Sequence, residues 1–516
     1  MAKPVLNQSA PFAHWFGGKT LPPYARAILN ARGAELFVVG GAVRDALLGR
    51  KEKRDLDLLV RGTPIVKLIN LLKRFGSVSE VGRTFGVIKF VPRGQKGSEA
   101  IDIALPRIDF SFGTGGYKDV EARSRHTLAL ERDLERRDFT VNAMAWDLGR
   151  CRLIDPFKGE RDLSKKILRS VGEPSKRFCE DYTRLLRLLR FSIELDFKIH
   201  GPTWREAKRL MPRLLDRRAH NWVVPRELVG KELLKAMLAN PGRAFDLFDQ
   251  AGVWRVLVPE IEKMKGVPQP PQFHSEGDVF EHTRLALLEL TRPAFKKRFP
   301  EGFDAETAIA VMLHDIGKPP TLQTPERHGT DRIRFNGHDR EGAAMTRNIA
   351  ERLALSAYKA PGIDVSIDRL GWVIAHHLLM VHADAEELRP RTIEKYFLSG
   401  QNPGGLLRRV MFCDIAATLN ENGKPFWKSL NDLERRIGAV AALAKKTGQL
   451  PNPFLDGNAI MRLTKTKPGP AVGDLIAKLR DAQLSGTVKN ARQAEVFIKK
   501  IVKSHARVVG APRSKR

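Results

Sequence analysis

The apolar run Leu36-Phe37-Val38-Val39 ends in Gly40-Gly41, and Ala42 to Leu48 then takes up helical spacing. This pattern predicts a buried strand that turns sharply into a short helix. A second strand is predicted over Arg54-Asp55-Leu56-Asp57-Leu58-Leu59-Val60, with Asp55 and Asp57 on one side and Leu56 and Leu58 toward the core. The alternation continues on both sides: Tyr24 to Asn30 and Ile65 to Phe75 are helical in spacing, while Gly86 to Val91 and Ala100 to Leu105 read as strands. An α/β head follows from that order. Residues 109 to 131, rich in Gly, Ser, Arg and Lys, keep no period and are expected to form a mobile loop or a surface linker.

Further along, the pattern is helical. Glu180 to Phe191 places Asp181, Arg184, Arg187 and Arg190 on one side and Leu185, Leu186, Leu188 and Leu189 on the other. From Lys198 to about Val258 the chain stays Leu-rich, interrupted at Pro212 and Pro225, and the three prolines within Val267 to Gln272 predict a boundary. Ala308 to Ile316 is an apolar helix carrying His314-Asp315, and in the last segment, Asn452 to Ile501, Pro468-Gly469-Pro470 opens a helix that runs to about Gln483.

With 516 residues the chain exceeds one ordinary domain and is expected to form three or four. Its 89 Lys and Arg against 59 Asp and Glu leave a net charge of +30, which favours a polyanion such as nucleic acid. Lys499 to Arg516 alone has seven basic residues and no acid, an arm suited to phosphates or simply a solvated tail. Cys151, Cys179 and Cys413 have neither paired nor metal-like spacing, so no disulfide framework or zinc knuckle is expected. No run approaches the ~18 apolar residues that cross a bilayer, and no secretion signal precedes the head, so a cytoplasmic protein with no membrane partner is expected.

Two chemistries stand out. Backbone can approach a phosphate closely at Gly40 and Gly41, beside helix-start N–H groups and Arg44. Asp55 and Asp57 repel each other unless a cation lies between them, which suits a divalent metal. Alone, Asp-x-Asp is commonly a solvated pair and Gly-Gly a turn. Asp102, in the strand Ala100 to Leu105, is a third carboxylate that could join them or serve only as a structural hydrogen-bond partner. The second chemistry is histidine: eight of the thirteen lie between His274 and His382, a clustering that favours metal ligation.

Gly40-Gly41-x-Val43-Arg44-Asp45 followed by Asp55-x-Asp57 resembles the signature of the nucleotidyltransferases that include bacterial CCA-adding enzymes and poly(A) polymerases. The resemblance implies Mg²⁺ on Asp55 and Asp57 and a nucleoside triphosphate near Gly41 and Arg44. Arg136-Arg137-Asp138-Phe139-Thr140 resembles the family's second motif, which implies Arg137 on the triphosphate and Asp138 on the sugar, and Asp155-Pro-x-x-Gly159 resembles its head-to-neck hinge. Glu180-Asp181-x-x-Arg184-x-x-Arg187 resembles its nucleobase-reading motif, with Asp181 and Arg184 on the edges of C and A and Arg187 and Arg190 on phosphates. An amphipathic helix with an Asp–Arg pair is the plain alternative. His282, His314-Asp315 and Asp414 resemble the HD-domain phosphohydrolases, with His338, His376 and His377 as further ligand candidates for a second divalent metal.

The expected architecture is therefore multidomain. A leader (1–25) precedes an α/β nucleotidyltransferase head of mixed sheet and helices (26–165). An all-α neck for base recognition (166–265), an HD-type helical domain (266–425) and a helical tail with the basic arm (426–516) follow. The expected reaction is template-independent addition of CCA to the 3′ end of tRNA from CTP and ATP. A poly(A) polymerase, or an enzyme adding only CC or only A, shares every one of these motifs. A phosphohydrolase with a degenerate head and a non-catalytic RNA-binding protein are the rivals from other classes.

Overall fold

The computed structural model describes residues 21–50, 56–81, 86–94, 100–380, 388–443 and 450–509. Asp55, the leader and the end of the basic arm lie outside them. The chain forms two compact units that divide between Pro259 and Glu260. The proline run Val267 to Gln272 belongs to the second unit, where Val267 accepts a backbone hydrogen bond from Val279 and Gln269 is buried.

In the first unit α1 (Pro23–Leu29), β1 (Glu35–Val39), α2 (Gly41–Leu47), β2 (Asp57–Arg61), α3 (Ile65–Lys73), β3 (Gly76–Val81), β4 (Val87–Pro92) and β5 (Ile101–Ala104) come first. The hairpin β6 (Arg107–Ser111) and β7 (Val120–Ser124), α4 (Leu130–Glu135), β8 (Ala145–Asp147) and β9 (Arg152–Ile154) follow. Seven strands make one sheet in the order β3-β4-β5-β2-β1-β8-β9, and only β2 and β5 run parallel. Both of its faces are covered, which is why β1 and β2 read as nearly continuous apolar runs. Leu36, Val38, Leu58, Val60, Ile88 and Phe90 pack with Tyr24, Ile28, Leu68 and Leu72 on one face. Phe37, Val39 and Leu59 pack with Leu130 and Leu134 of α4 on the other. By strand alternation Asp57 shares the second face with Leu59.

Two predictions are corrected here, and one strand is added. Residues 109 to 131 hold order, because β6 and β7 pair from Arg107↔Ser124 to Ser111↔Val120; their sequence lacks alternation because, Ala122 apart, neither side of the hairpin is buried. β3, which had no strand signal, pairs along its whole length with β4. Glu180 to Phe191 is not one helix: after α5 (Gly159–Ser164), α6 (Pro174–Glu180) stops at Asp181 (φ −162°, ψ 103°), and α7 (Thr183–Leu195) starts anew.

α7 buries Leu185, Leu186, Leu188 and Leu189 and packs on α9 (Arg226–Ala239), which lies beyond α8 (Gly201–Leu210). In the second unit, Val279–Glu289, Ala305–Leu313 and Gly404–Ala417 pack together, and His338–Arg352 packs on Ile367–His376. The helix that carries His314-Asp315 ends at Leu313, so the doublet stands at its C-terminal end rather than inside it. Gly457–Thr464, Pro470–Leu484 and Ala491–Val509 form a small helical module around Ile460, Leu479, Ala494 and Ile498. Among the described residues no helix is long and apolar enough to cross a membrane.

Candidate active site and metal centre

Gly40 turns the chain from β1 into α2 at φ 76°, ψ −134°, a conformation that favours glycine. A Cβ there would also lie 2.5 Å from a guanidinium nitrogen of Arg137, which would have to move aside. The guanidinium of Arg44 bonds both carboxylate oxygens of Asp45 at 2.9 Å and donates to Asn142 Oδ1 at 2.6 Å. These three groups are buried, so the strand-to-helix turn is held in one geometry.

A cavity of about 550 Å³ opens in front of this turn. Gly41, Arg44, Asp57, Arg137, Asp138, Asp181, Arg184 and Arg187 all line it, joined by Arg136, Asn142, Tyr117 and Lys231, which sequence reasoning had not singled out. Arg136 has the clearest sequence signal among them, being the first Arg of Arg136-Arg137-Asp138. It bonds the buried Asp133 at 2.8 and 3.0 Å, while Arg137 reaches Asp133 through one 3.3 Å bond and keeps a buried Nε without a partner.

Asp138 is more heavily committed. It accepts from Phe139 N (2.8 Å), Asn142 Nδ2 (3.0 Å) and two guanidinium nitrogens of Arg187 (3.0 and 2.6 Å). Burial raises its carboxyl pKa, but the Arg187 charge and these bonds outweigh burial and hold it well below the usual carboxylate range. Arg187 is correspondingly pushed up by Asp138 against its own burial.

Asp181 accepts from the backbone N–H of Thr183 (2.8 Å) and its hydroxyl (2.6 Å), which fixes the break before α7. Arg184 donates to Glu180 (2.7 Å) and to the carbonyls of Arg177 and Arg136 (2.9 and 3.0 Å). A helix break thus brings Asp181 and Arg184 to the cavity wall. Arg190, expected on phosphates, lies away from that wall: it is buried and bonded to Glu232 and to Glu194. Three residues beyond Arg187 on α7, it meets Glu232 of α9 instead.

Asp57 and Asp102 are register partners on the parallel strands β2 and β5, so their carboxylates start from adjacent backbone positions. Asp102 Oδ1 makes no hydrogen bond and lies 3.5 Å from Nζ of Lys89, its register partner on β4. Adjacent oxygen donors of this kind fit a hard divalent cation.

The histidine cluster lies wholly in the second unit. His282 Nε2 is 3.2 Å from His314 Nε2, 3.2 Å from Asp414 and 3.6 Å from Asp315. On the other side of Asp315, His338 Nε2 lies 3.5 Å and His377 Nε2 3.8 Å from its Oδ1. The Nδ1 atoms of His314, His338 and His377 face the carbonyls of Val311, Phe335 and Ile374, which can only accept. Each Nδ1 therefore donates to its carbonyl, which turns each Nε2 toward Asp315. Two of these Nε2 atoms, on His338 and His377, are buried without a partner. Such a donor set fits metal, and it divides into His282–His314–Asp414 and Asp315–His338–His377.

His376 is the exception among the candidates: its ring stacks on Trp372 at 4.3 Å and its Nδ1 faces the Trp372 carbonyl. Two contributors had not been anticipated. Lys318, one helical step after Asp315, puts Nζ 2.6 Å from its carboxylate. Glu276, buried, receives Nδ1 of both His274 (2.7 Å) and His282 (2.8 Å), and despite burial these two bonds hold its pKa at about 2.

A mixed sheet with paired aspartates, set beside an arginine-lined cavity and accompanied by a helical His/Asp centre, defines a nucleotidyltransferase joined to an HD domain. Residues 36–169 match the family of poly A polymerase head domains and residues 279–402 match the HD domain family. A multifunctional CCA protein of Nitrosococcus oceani is 35% identical over 365 residues, covering 70% of this chain and 78% of that protein. An A-adding tRNA nucleotidyltransferase of Deinococcus radiodurans is 31% identical over 374 residues, covering 72% and 79%. The fold is that of the CCA-adding enzyme of Bacillus stearothermophilus in complex with CTP (TM-score 0.60, 20% identity, 97% of this chain and 100% of that one). The Thermotoga maritima CCA-adding enzyme complexed with tRNA is also similar (TM-score 0.57, 19% identity, 94% and 97%).

The chain belongs to the tRNA nucleotidyltransferase family that contains the multifunctional CCA proteins. It is a nucleotidyltransferase.

Proposed function

We propose that this enzyme adds CCA to the 3′ end of tRNA from CTP and ATP, in the cytoplasm. The observation that carries the reading is the convergence of Gly41, Arg44, Asp57, Arg137, Asp181 and Arg184 on one cavity, drawn from four separate stretches of chain. The RNA 3′-hydroxyl attacks the α-phosphorus of the bound nucleotide; a new P–O bond forms, the bond to the β-phosphate breaks, and pyrophosphate leaves. Mg²⁺ held by Asp55 and Asp57, with Asp102 as a third carboxylate, would lower the pKa of the attacking hydroxyl and neutralise the leaving pyrophosphate.

Other side chains position the reactants. Arg137 makes fewer internal bonds than Arg136, Arg184 or Arg187 at the cavity wall and sits against Gly40, which leaves its guanidinium ready to take a triphosphate. Arg44 is rigid and contributes charge and shape from the start of α2. Asp181 accepts from the exocyclic amine of C or A while Arg184 donates to a ring acceptor, a pairing that penalises a wrong base by leaving buried groups unpaired. Arg187 acts through Asp138, keeping it ionised beside the sugar.

Asp57→Ala is expected to abolish transfer of labelled CMP or AMP to tRNA while tRNA binding persists. Full transfer by that variant would overturn the assignment. A second reading is favoured by one specific observation, the facing, unpartnered Nε2 atoms of His338 and His377. It makes the HD centre a divalent-metal phosphohydrolase acting on phosphomonoesters or cyclic phosphates, with Lys318 beside Asp315 to attract the substrate's phosphate.

A further inference from the structure

Four histidines surround Asp315, and three of them rest Nδ1 on a main-chain carbonyl: His314 on Val311, His338 on Phe335 and His377 on Ile374. His282 differs. Its Nδ1 lies 2.8 Å from Oε1 of Glu276, and both side chains are fully buried. An ionised carboxylate only accepts, so Nδ1 donates and Nε2 is turned toward His314 and Asp414, each 3.2 Å away. A carboxylate behind a histidine fixes the ring and raises the basicity of the nitrogen that faces a metal, more than a neutral carbonyl does.

Glu276 is itself held in place. Oε1 also accepts from Nδ1 of His274 at 2.7 Å, and Oε2 accepts from Leu419 N at 2.9 Å. Ser275 strengthens that junction, its N donating to the Leu419 carbonyl at 2.9 Å and its Oγ to the Asn420 carbonyl at 2.7 Å. Leu419 follows directly on Thr418, whose N–H and hydroxyl both bond the Asp414 carbonyl, at 2.9 and 2.8 Å. The carboxylate that carries His282 therefore stands on a frame that begins at Asp414. These two are the first and last members along the chain of the donor set His282–His314–Asp414.

We propose that Glu276 is a positioning residue of the HD metal centre: it acts through His282, fixing the ring so that Nε2 is presented to a divalent cation beside His314 and Asp414. In the other half of the donor set, Asp315–His338–His377, main-chain carbonyls orient the rings instead. Glutamine cannot replace Glu276. With its amide oxygen toward the histidines, its NH2 meets the Leu419 N–H, donor against donor. Turned round, the NH2 faces Nδ1 of both rings, and His282 accepts that bond only with its proton on Nε2, the atom a metal needs. The inference rests on the HD centre holding a divalent metal.

The test titrates Co²⁺ into the chelator-treated full chain, in an Asp57→Ala background so that the head carboxylates do not add to the signal. Equilibrium dialysis gives the affinity and the visible absorption of Co²⁺ follows its ligands; neither needs turnover. Glu276→Gln is expected to weaken binding about 10–100-fold. Glu276→Asp, which keeps the charge but withdraws it by one methylene, is expected to fall between the glutamine variant and the chain with Glu276 intact. In a His282→Ala background, Glu276→Gln is expected to cost less than about twofold, because the ring through which it acts is gone. Unchanged affinity in Glu276→Gln, full affinity in Glu276→Asp, or a loss that persists undiminished without His282 overturns the positioning role and leaves the metal centre standing. Absence of Co²⁺ binding with Glu276 and His282 intact overturns the metal centre itself, and this inference with it.

Discussion

Arg137 and Gly40 show how a short motif encodes a site that its own residues do not complete. The glycine is needed for its φ of 76° and for the guanidinium packed where its side chain would be. Gly40→Ala is expected to cost about 1–3 kcal/mol in backbone strain and to displace Arg137, seen as a lower unfolding temperature and a raised KM for nucleotide. Unchanged values would separate the two groups. Asp138 gives a pH signature. Its native pKa is depressed, so its stabilisation is complete above the ordinary carboxylate value near ~4 and is lost as pH falls through the depressed native value. Asp138→Asn is expected to be roughly 3 kcal/mol less stable at neutral pH, a gap that shrinks as urea unfolding is repeated below about pH 4. A gap independent of pH would contradict the Asp138–Arg187 account. The Gly-Gly and Arg-Arg-Asp motifs were legible because local chemistry demands those residues at those spacings. Arg190 was misplaced because charge alternation on a helix says nothing of a partner such as Glu232, distant in sequence.

Among elements, the break between α6 and α7 matters most. Helical periodicity runs through Asp181 without interruption, so the break was not legible; it is imposed from outside by the β6–β7 hairpin. Gly115 N donates to the Cys179 carbonyl and Tyr182 N to the Gly115 carbonyl, each at 2.9 Å, which takes up groups that a continuous helix would have used. A Cβ at Gly115 would lie 2.0 Å from the Tyr182 ring. Gly115→Ala is therefore expected to dislodge the hairpin tip and loosen Asp181, reducing discrimination between correct and incorrect nucleotides of order tenfold while total transfer falls less. Misincorporation measured with single nucleotides checks this, and unaltered selectivity would dissociate the hairpin from base choice. The same reasoning explains why residues 109 to 131 read as an unstructured loop. Their pairing is real, but with Ala122 the one buried residue of the two strands and Gly113, Gly115 and Gly116 at the tip, neither alternation nor β-propensity marks it.

At the scale of the molecule, order of motifs was the most legible property and domain limits the least. The head, the helical region and the His-rich region succeed one another as their patterns predict, because each depends on short-range periodicity. The division at Pro259 was not foreseen, since packing rather than a proline cluster decides where contacts thin out. Net charge of +30 belongs to this scale too. Binding of tRNA is expected to weaken at least tenfold between 50 and 200 mM salt, by counterion release, in wild type and in Asp57→Ala alike. The decisive measurement is the sequence of products formed when the purified protein meets tRNA transcripts ending before, within or after CCA, with CTP and ATP supplied separately and together. The account predicts that CTP extends the shortest transcript by two residues, that ATP then adds one, and that the finished end is left alone. A run of A residues on any transcript, or no extension of any of them, would contradict it.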